Sequence, residues 1–127
     1  MEFKETKAIY LQIAERICNE ILQGKYPEEG RIPSVREYAA EVEVNVNTLM
    51  RSFDYLQQKD IIYNKRGIGY FVAKGAKKLI YKELERRFLE EDLTDFFDQL
   101  QLLNIPIEKV ISLYEDYKAQ QTKKEQS

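Results

Sequence analysis

Ile32-Pro33-Ser34-Val35-Arg36-Glu37-Tyr38-Ala39 is followed within a few residues by Val44-Asn45-Val46-Asn47-Thr48-Leu49-Met50-Arg51, and then by Lys65-Arg66-Gly67-Ile68-Gly69-Tyr70-Phe71-Val72. Ser34 with Glu37 three positions on is a capping box, in which hydroxyl and carboxylate satisfy free amides at a helix start. A helix therefore opens there, with Val35, Tyr38 and Ala39 as its apolar stripe, and closes near Glu41. Asn45 or Asn47 caps a third helix whose inner face is Leu49, Phe53 and Leu56. So short a turn holds the later helix at a fixed angle to the earlier one. Ile61-Ile62-Tyr63 and Tyr70-Phe71-Val72 are β-prone runs around a polar centre, a hairpin pattern, and Gly67 and Gly69 keep its loop free of bulk. This order predicts a winged helix-turn-helix with a small β-hairpin wing, an architecture suited to duplex DNA.

Upstream, Ile9, Ile13, Ile17 and Ile21 recur every four residues, joined by Ala14 and Leu22, and Gly24 ends that helix before the turn-forming run Tyr26 to Arg31. Downstream, a charged helix runs from Ala76 to about Glu91. Thr94 is expected to cap a shorter helix, and Pro106 to open a third carrying Ile107, Val110, Ile111 and Tyr114. The fold class is thus mainly α, with residues 1–75 as the DNA-binding domain, 76–118 as a helical dimerisation region and 119–127 as a flexible tail. Leu84, Phe88, Phe96, Phe97, Leu100, Val110 and Tyr114 are the candidates for the dimer contact. The alternative is that these helices cover the first domain of their own chain.

The totals narrow the function. The 127 residues carry 20 basic and 22 acidic side chains, and residues 1–75 hold 11 of each, so nucleic acid must be met by a local patch rather than a global field. One cysteine, Cys18, and no histidine exclude an internal disulfide and leave no basis for a metal site; no cofactor is expected. No apolar run is long enough for a bilayer, and Met1-Glu2-Phe3 does not begin an export signal, so a cytoplasmic protein with no membrane partner is expected. An enzyme is disfavoured: no nucleophile is paired with a base and no glycine loop cradles phosphate.

Arg36 in the first turn of the second helix and Arg51 in the third lie off the apolar faces and are candidates for bidentate contacts to guanine or phosphate. Asn45, Asn47 and Thr48 stand at the positive end of the third helix, where short polar groups and amides hold phosphate, although asparagine there is also a cap. Ser34 carries the same two roles. Lys65 and Arg66 are placed to reach the minor groove or flanking phosphate. Glu37, Glu41, Glu43 and Asp54 crowd the same region and restrict the DNA-facing surface to a narrow one.

Ala8-Ile9-Tyr10-Leu11-Gln12-Ile13, Gly24, Gly30, Pro33-Ser34-Val35-Arg36, Asn47-Thr48 with Arg51, and Gly67-Ile68-Gly69-Tyr70-Phe71-Val72 together resemble the GntR family of bacterial transcription regulators, and the short helical tail is similar to that of its YtrA subfamily. The resemblance implies a homodimer on an inverted repeat of double-stranded DNA, usually a repressor and often one controlling transporter genes. It implies base contacts from Arg36 and Arg51, backbone contacts from Ser34, Asn47 and Thr48, and a minor-groove position for Gly69. Ser52, Asp60 and Ile68 depart from the family pattern; Asp60 stands where a helix-ending glycine is usual, although aspartate tolerates a left-handed turn. A winged-helix protein-interaction module without DNA binding is the rival reading. A small-molecule effector is compatible with the tyrosine-rich tail, but the sequence identifies none.

Overall fold

The computed structural model describes residues 7–126, so the reading of Met1-Glu2-Phe3 and the last residue of the expected tail, Ser127, lie outside the described residues. Helix α1 (Ile9–Leu22) is followed by α2 (Val35–Val42), α3 (Val46–Gln58), strands β1 (Ile62–Lys65) and β2 (Gly69–Val72), α4 (Ala76–Arg87), a π-helical turn (Phe88–Asp92), α5 (Leu93–Leu102) and α6 (Ile107–Gln126). This is the winged helix-turn-helix with helical tail that the sequence predicts.

The first compact unit, which extends to Glu83, closes around one apolar core. Ile13, Ala14, Ile17 and Ile21 from α1 meet Val35, Tyr38 and Ala39 from α2 and Leu49, Phe53 and Leu56 from α3, with Val72, Ala76 and Ile80 completing it. Cys18 is half-buried against that core. Ile9 is exposed, contrary to the four-residue pattern. A helix advances about 100° per residue, so every fourth position drifts about 40°, and three such steps carry Ile9 off the face that Ile21 buries.

The ends of these helices follow their sequence signals. Gly24, with φ +87°, lies just past the Gln23 cap of α1. Glu43 closes α2 in the left-handed conformation at φ 56°, and Asp60 does the same after α3 at φ 61°, the role its sequence position demands. β1 and β2 pair antiparallel, Ile62 with Val72 and Lys65 with Gly69. Residues 29–32 run along the free edge of β2: the Ile32 amide donates to the Tyr70 carbonyl at 3.0 Å, the Val72 amide donates to the Gly30 carbonyl at 2.9 Å, and Arg31 bridges Phe71.

One buried carboxylate ties α1 to α2. Glu20, only 8% exposed, accepts a hydrogen bond from the Tyr38 hydroxyl and pairs with Lys25 at 3.1 Å and Arg16 at 3.3 Å. Burial opposes its charge, but the bonds from Tyr38 and Lys25 outweigh that and hold its carboxyl below the ordinary carboxylate range. Burial and the same contact push the Tyr38 hydroxyl up. A folded-state pKa below the unfolded one adds stability that is complete above the unfolded value and is lost as pH falls through the folded one. Thermal stability of the wild-type chain should therefore hold from pH 7 to about 5 and fall below that. Glu20→Gln should lower stability by about 1–3 kcal/mol at pH 7 and flatten the acid decline in calorimetric scans.

The second compact unit begins at Leu84. Thr94 does not cap a new helix. The chain passes from α4 to α5 through the π turn, and the Thr94 hydroxyl donates back to the Glu90 carbonyl at 2.9 Å, as side chains within a helix do. Asn104 at φ 54° and the Ile105 amide bond to the Leu100 carbonyl end α5 before Pro106. The stretch expected as a flexible tail continues α6 to Gln126, since it contains neither glycine nor proline. Leu100, at 9% exposure, is the one buried side chain among the described residues of this unit. Phe88, Phe96, Phe97, Ile111 and Tyr114 stand in solvent. None of the described helices is long and apolar enough to cross a membrane.

Candidate nucleic-acid interface

The amide-rich start of α2 is set by its cap. Ser34 Oγ accepts from the Glu37 amide at 3.1 Å while the Ser34 amide donates to Glu37 Oε1 at 3.3 Å, so the box drawn from the sequence is closed on both sides. The Ser34 hydroxyl, accepting there, keeps its own proton to donate. Ser34→Ala should cost about 1 kcal/mol in urea unfolding, because one helix-opening amide loses its acceptor. Arg36, in the first turn, is exposed and has no ion pair among the described residues.

In α3 the cap is Asn45, whose Oδ1 accepts from the Asn47 amide at 2.8 Å. Its side chain is thereby occupied, whereas that of Asn47 is exposed and open. Asn47 and Arg51, four residues apart, share the face opposite Leu49, Phe53 and Leu56. Thr48, half-buried, lies beside that face, and Asp54 lies on it. The Arg51 guanidinium rests over the Tyr10 ring, 4.1 Å from its centroid, and Tyr10 meets the edge of Tyr55 at 6.3 Å. Ser52 fastens this corner: its hydroxyl donates to the Tyr10 carbonyl at 2.7 Å. Ser52, one of the three departures from the pattern the sequence resembles, thus links α3 to α1.

At the wing, Ile68 donates to the Lys65 carbonyl at 2.9 Å across a turn in which Gly67 has φ +81°. Arg66 and Ile68 are exposed at its tip, and Lys65 lies 4.6 Å from the centroid of the Phe71 ring, which stacks on Tyr63. The expected contacts therefore fall into three places, the start of α2, the outer face of α3 and the wing.

Sequence reasoning missed four residues here. Tyr10 positions Arg51, and its signal was an aromatic at the start of α1. Val46 and Met50 are exposed apolar side chains on α3, of the kind that meets thymine methyl groups. Arg31 lies against Gly69, which only the pairing of residues 29–32 with β2 reveals.

Residues 9–72 match the family described as bacterial regulatory proteins, gntR family. Over 110 residues the chain is 33% identical to the uncharacterized HTH-type transcriptional regulator YhcF of Bacillus subtilis, covering 87% of this chain and 89% of that protein. It is 26% identical to the HTH-type transcriptional repressor YtrA of the same organism, across 84% of this chain and 82% of that one. A crystal structure from Bacteroides thetaiotaomicron, assigned to the GntR family of transcriptional regulators, superposes with a TM-score of 0.81 at 57% identity, covering 89% of this chain and 99% of the other. The DNA-binding domain of AraR in complex with operator ORR3 superposes at 0.53 and 27% identity, over 57% of this chain and 88% of that one.

Proposed function

This chain belongs to the gntR family of bacterial regulatory proteins and is a winged-helix, DNA-binding transcriptional regulator rather than an enzyme, and from that premise we propose that it acts as a YtrA-type homodimeric repressor on an inverted repeat. The observation that carries the reading is the exposure of Arg36, Asn47 and Arg51 at the opening turns and outer face of α2 and α3, with neither arginine in an ion pair among the described residues. Arg36 and Arg51 take the base edges, Ser34, Asn47 and Thr48 serve phosphate beside the Asn45 cap, and Lys65, Arg66 and Gly69 address the minor groove and its flanking phosphate. The operator complex of the AraR domain supports a shared mode of docking, and the repressor name of the YtrA relative supports the sign of regulation.

Residues 1–75 are the DNA-binding part in this proposal and 76–118 the dimerisation part. The support is physical: α5 and α6 bury little within their own unit and present Phe96, Phe97, Ile111 and Tyr114 to solvent. The test is enrichment of fragmented host DNA by the full chain. An inverted repeat upstream of a few loci is the expected result, and those loci test whether transporter genes are the targets. Absence of any enriched repeat would move the weight to a protein-interaction module.

A further inference from the structure

One arginine near the wing has no assigned part. Arg31 bridges Phe71 on the free edge of β2, while Lys65 pairs with Gly69 on its other side. Side chains alternate along a strand, so Arg31, Phe71 and Tyr63 form one row of the same sheet face and Gly69 with Lys65 forms the next. Ile32 is buried, which turns Arg31 outward. The side chain of Arg31 then leans into the space that Gly69 leaves: a Cβ there would stand 3.1 Å from Arg31 Nε and 3.4 Å from Nη2. Lys65 lies over Phe71 on that face, so two cations flank a glycine with no side chain between them. The neighbouring acids do not neutralise Arg31. Glu28 accepts a hydrogen bond from the Gly75 amide, and Arg31 has no ion pair among the described residues.

Given the duplex-binding reading, on which this rests, we propose that Arg31 is a further DNA contact of the wing, gripping with Lys65 the phosphodiester backbone that borders the minor groove, over the bare backbone of Gly69. A planar guanidinium reaches phosphate oxygens in pairs, and a glycine floor lets the sugar-phosphate chain come close. Such a contact positions the protein and carries no base preference.

The experiment measures binding of the full chain to a duplex selected from a random-sequence library and to an unselected duplex, across a salt series. Arg31→Ala, Arg31→Lys and Arg36→Ala are compared with wild type. Arg31→Ala should weaken both duplexes alike, about five- to tenfold near 0.1 M salt, and lower the logarithmic salt slope by about 0.9 per bound protomer. Arg31→Lys should keep the slope, and the melting temperature of each Arg31 variant should match that of wild type. Arg36→Ala should instead lose discrimination between the two duplexes. Full affinity with an unchanged slope in Arg31→Ala overturns the assignment, as does an equal loss in Arg31→Lys, which would make the arginine a shaper of the wing. Failure of the wild-type chain to bind either duplex would remove the DNA-binding reading itself, a result distinguishable from both.

Discussion

Arg36→Ala combined with Arg51→Ala is expected to abolish preference for the inverted repeat while the fold survives. A bidentate arginine–base pair discriminates by about 1–3 kcal/mol. A dimer presents each arginine once per half-site, so even the lower figure gives about 4 kcal/mol across the repeat, close to a thousandfold in affinity. The structural cost is small because both side chains are exposed. Only Arg51 gives up a contact, the stack on Tyr10, worth about 0.5–1 kcal/mol at an accessible site. Titration of a labelled repeat, with an unrelated duplex as reference, should show the two curves converging in the double variant. The residual binding should keep its steep salt dependence, since the phosphate contacts proposed for Ser34, Thr48 and the wing are untouched. A variant that still prefers the repeat by tenfold or more would mean that α3 reads sequence through other side chains, with Asn47, Val46 and Met50 the first to examine.

The parts of this surface that were legible in the sequence are those built from local chemistry. Ser34 and Glu37 form a capping box because both partners lie within one turn, and Asp60 takes a left-handed turn because the end of α3 requires one. Gly67 and Gly69 punctuate a hairpin whose strands pair as their β-prone runs indicate. What escaped is what depends on distant residues or on helix phase. Arg51 on Tyr10 joins α3 to α1 across 41 positions of sequence, and Arg31 beside Gly69 needs a strand pairing that a single Arg-Ile step does not announce. The π turn at Phe88–Asp92 inserts one residue into the helical count, rotating all that follows by about 100°, and Thr94 then looks like a cap although it lies inside a continuous helix. The same phase change is why the apolar residues of α4 and α5 cannot be placed on one stripe by periodicity alone.

In the homodimer proposed above, Phe88→Glu with Phe97→Glu should turn dimer into monomer at micromolar concentration and, with that, remove binding to the proposed repeat. Phe88 is 56% exposed and Phe97 45%, and neither belongs to the core of the first unit. Burying an aromatic ring contributes about 2 kcal/mol. Twofold symmetry places each residue at the interface twice, so the double change withdraws about 8 kcal/mol before any cost of bringing carboxylates together. That exceeds a ten-thousandfold shift in the dimer constant, enough to make monomer the dominant species in sedimentation. The DNA readout follows by linkage. A monomer engages one half-site and must gather a second copy from solution, whereas the dimer meets the second half-site at high effective concentration. Melting of the first unit serves as the control, because its buried side chains, from Ile13 on α1 to Ile80 on α4, are untouched by either substitution. A variant that remains dimeric with its melting unchanged would place the seam on the other exposed face, that of Ile111 and Tyr114 on α6. A variant that becomes monomeric yet binds the repeat as tightly as wild type would break the link between tail and operator altogether.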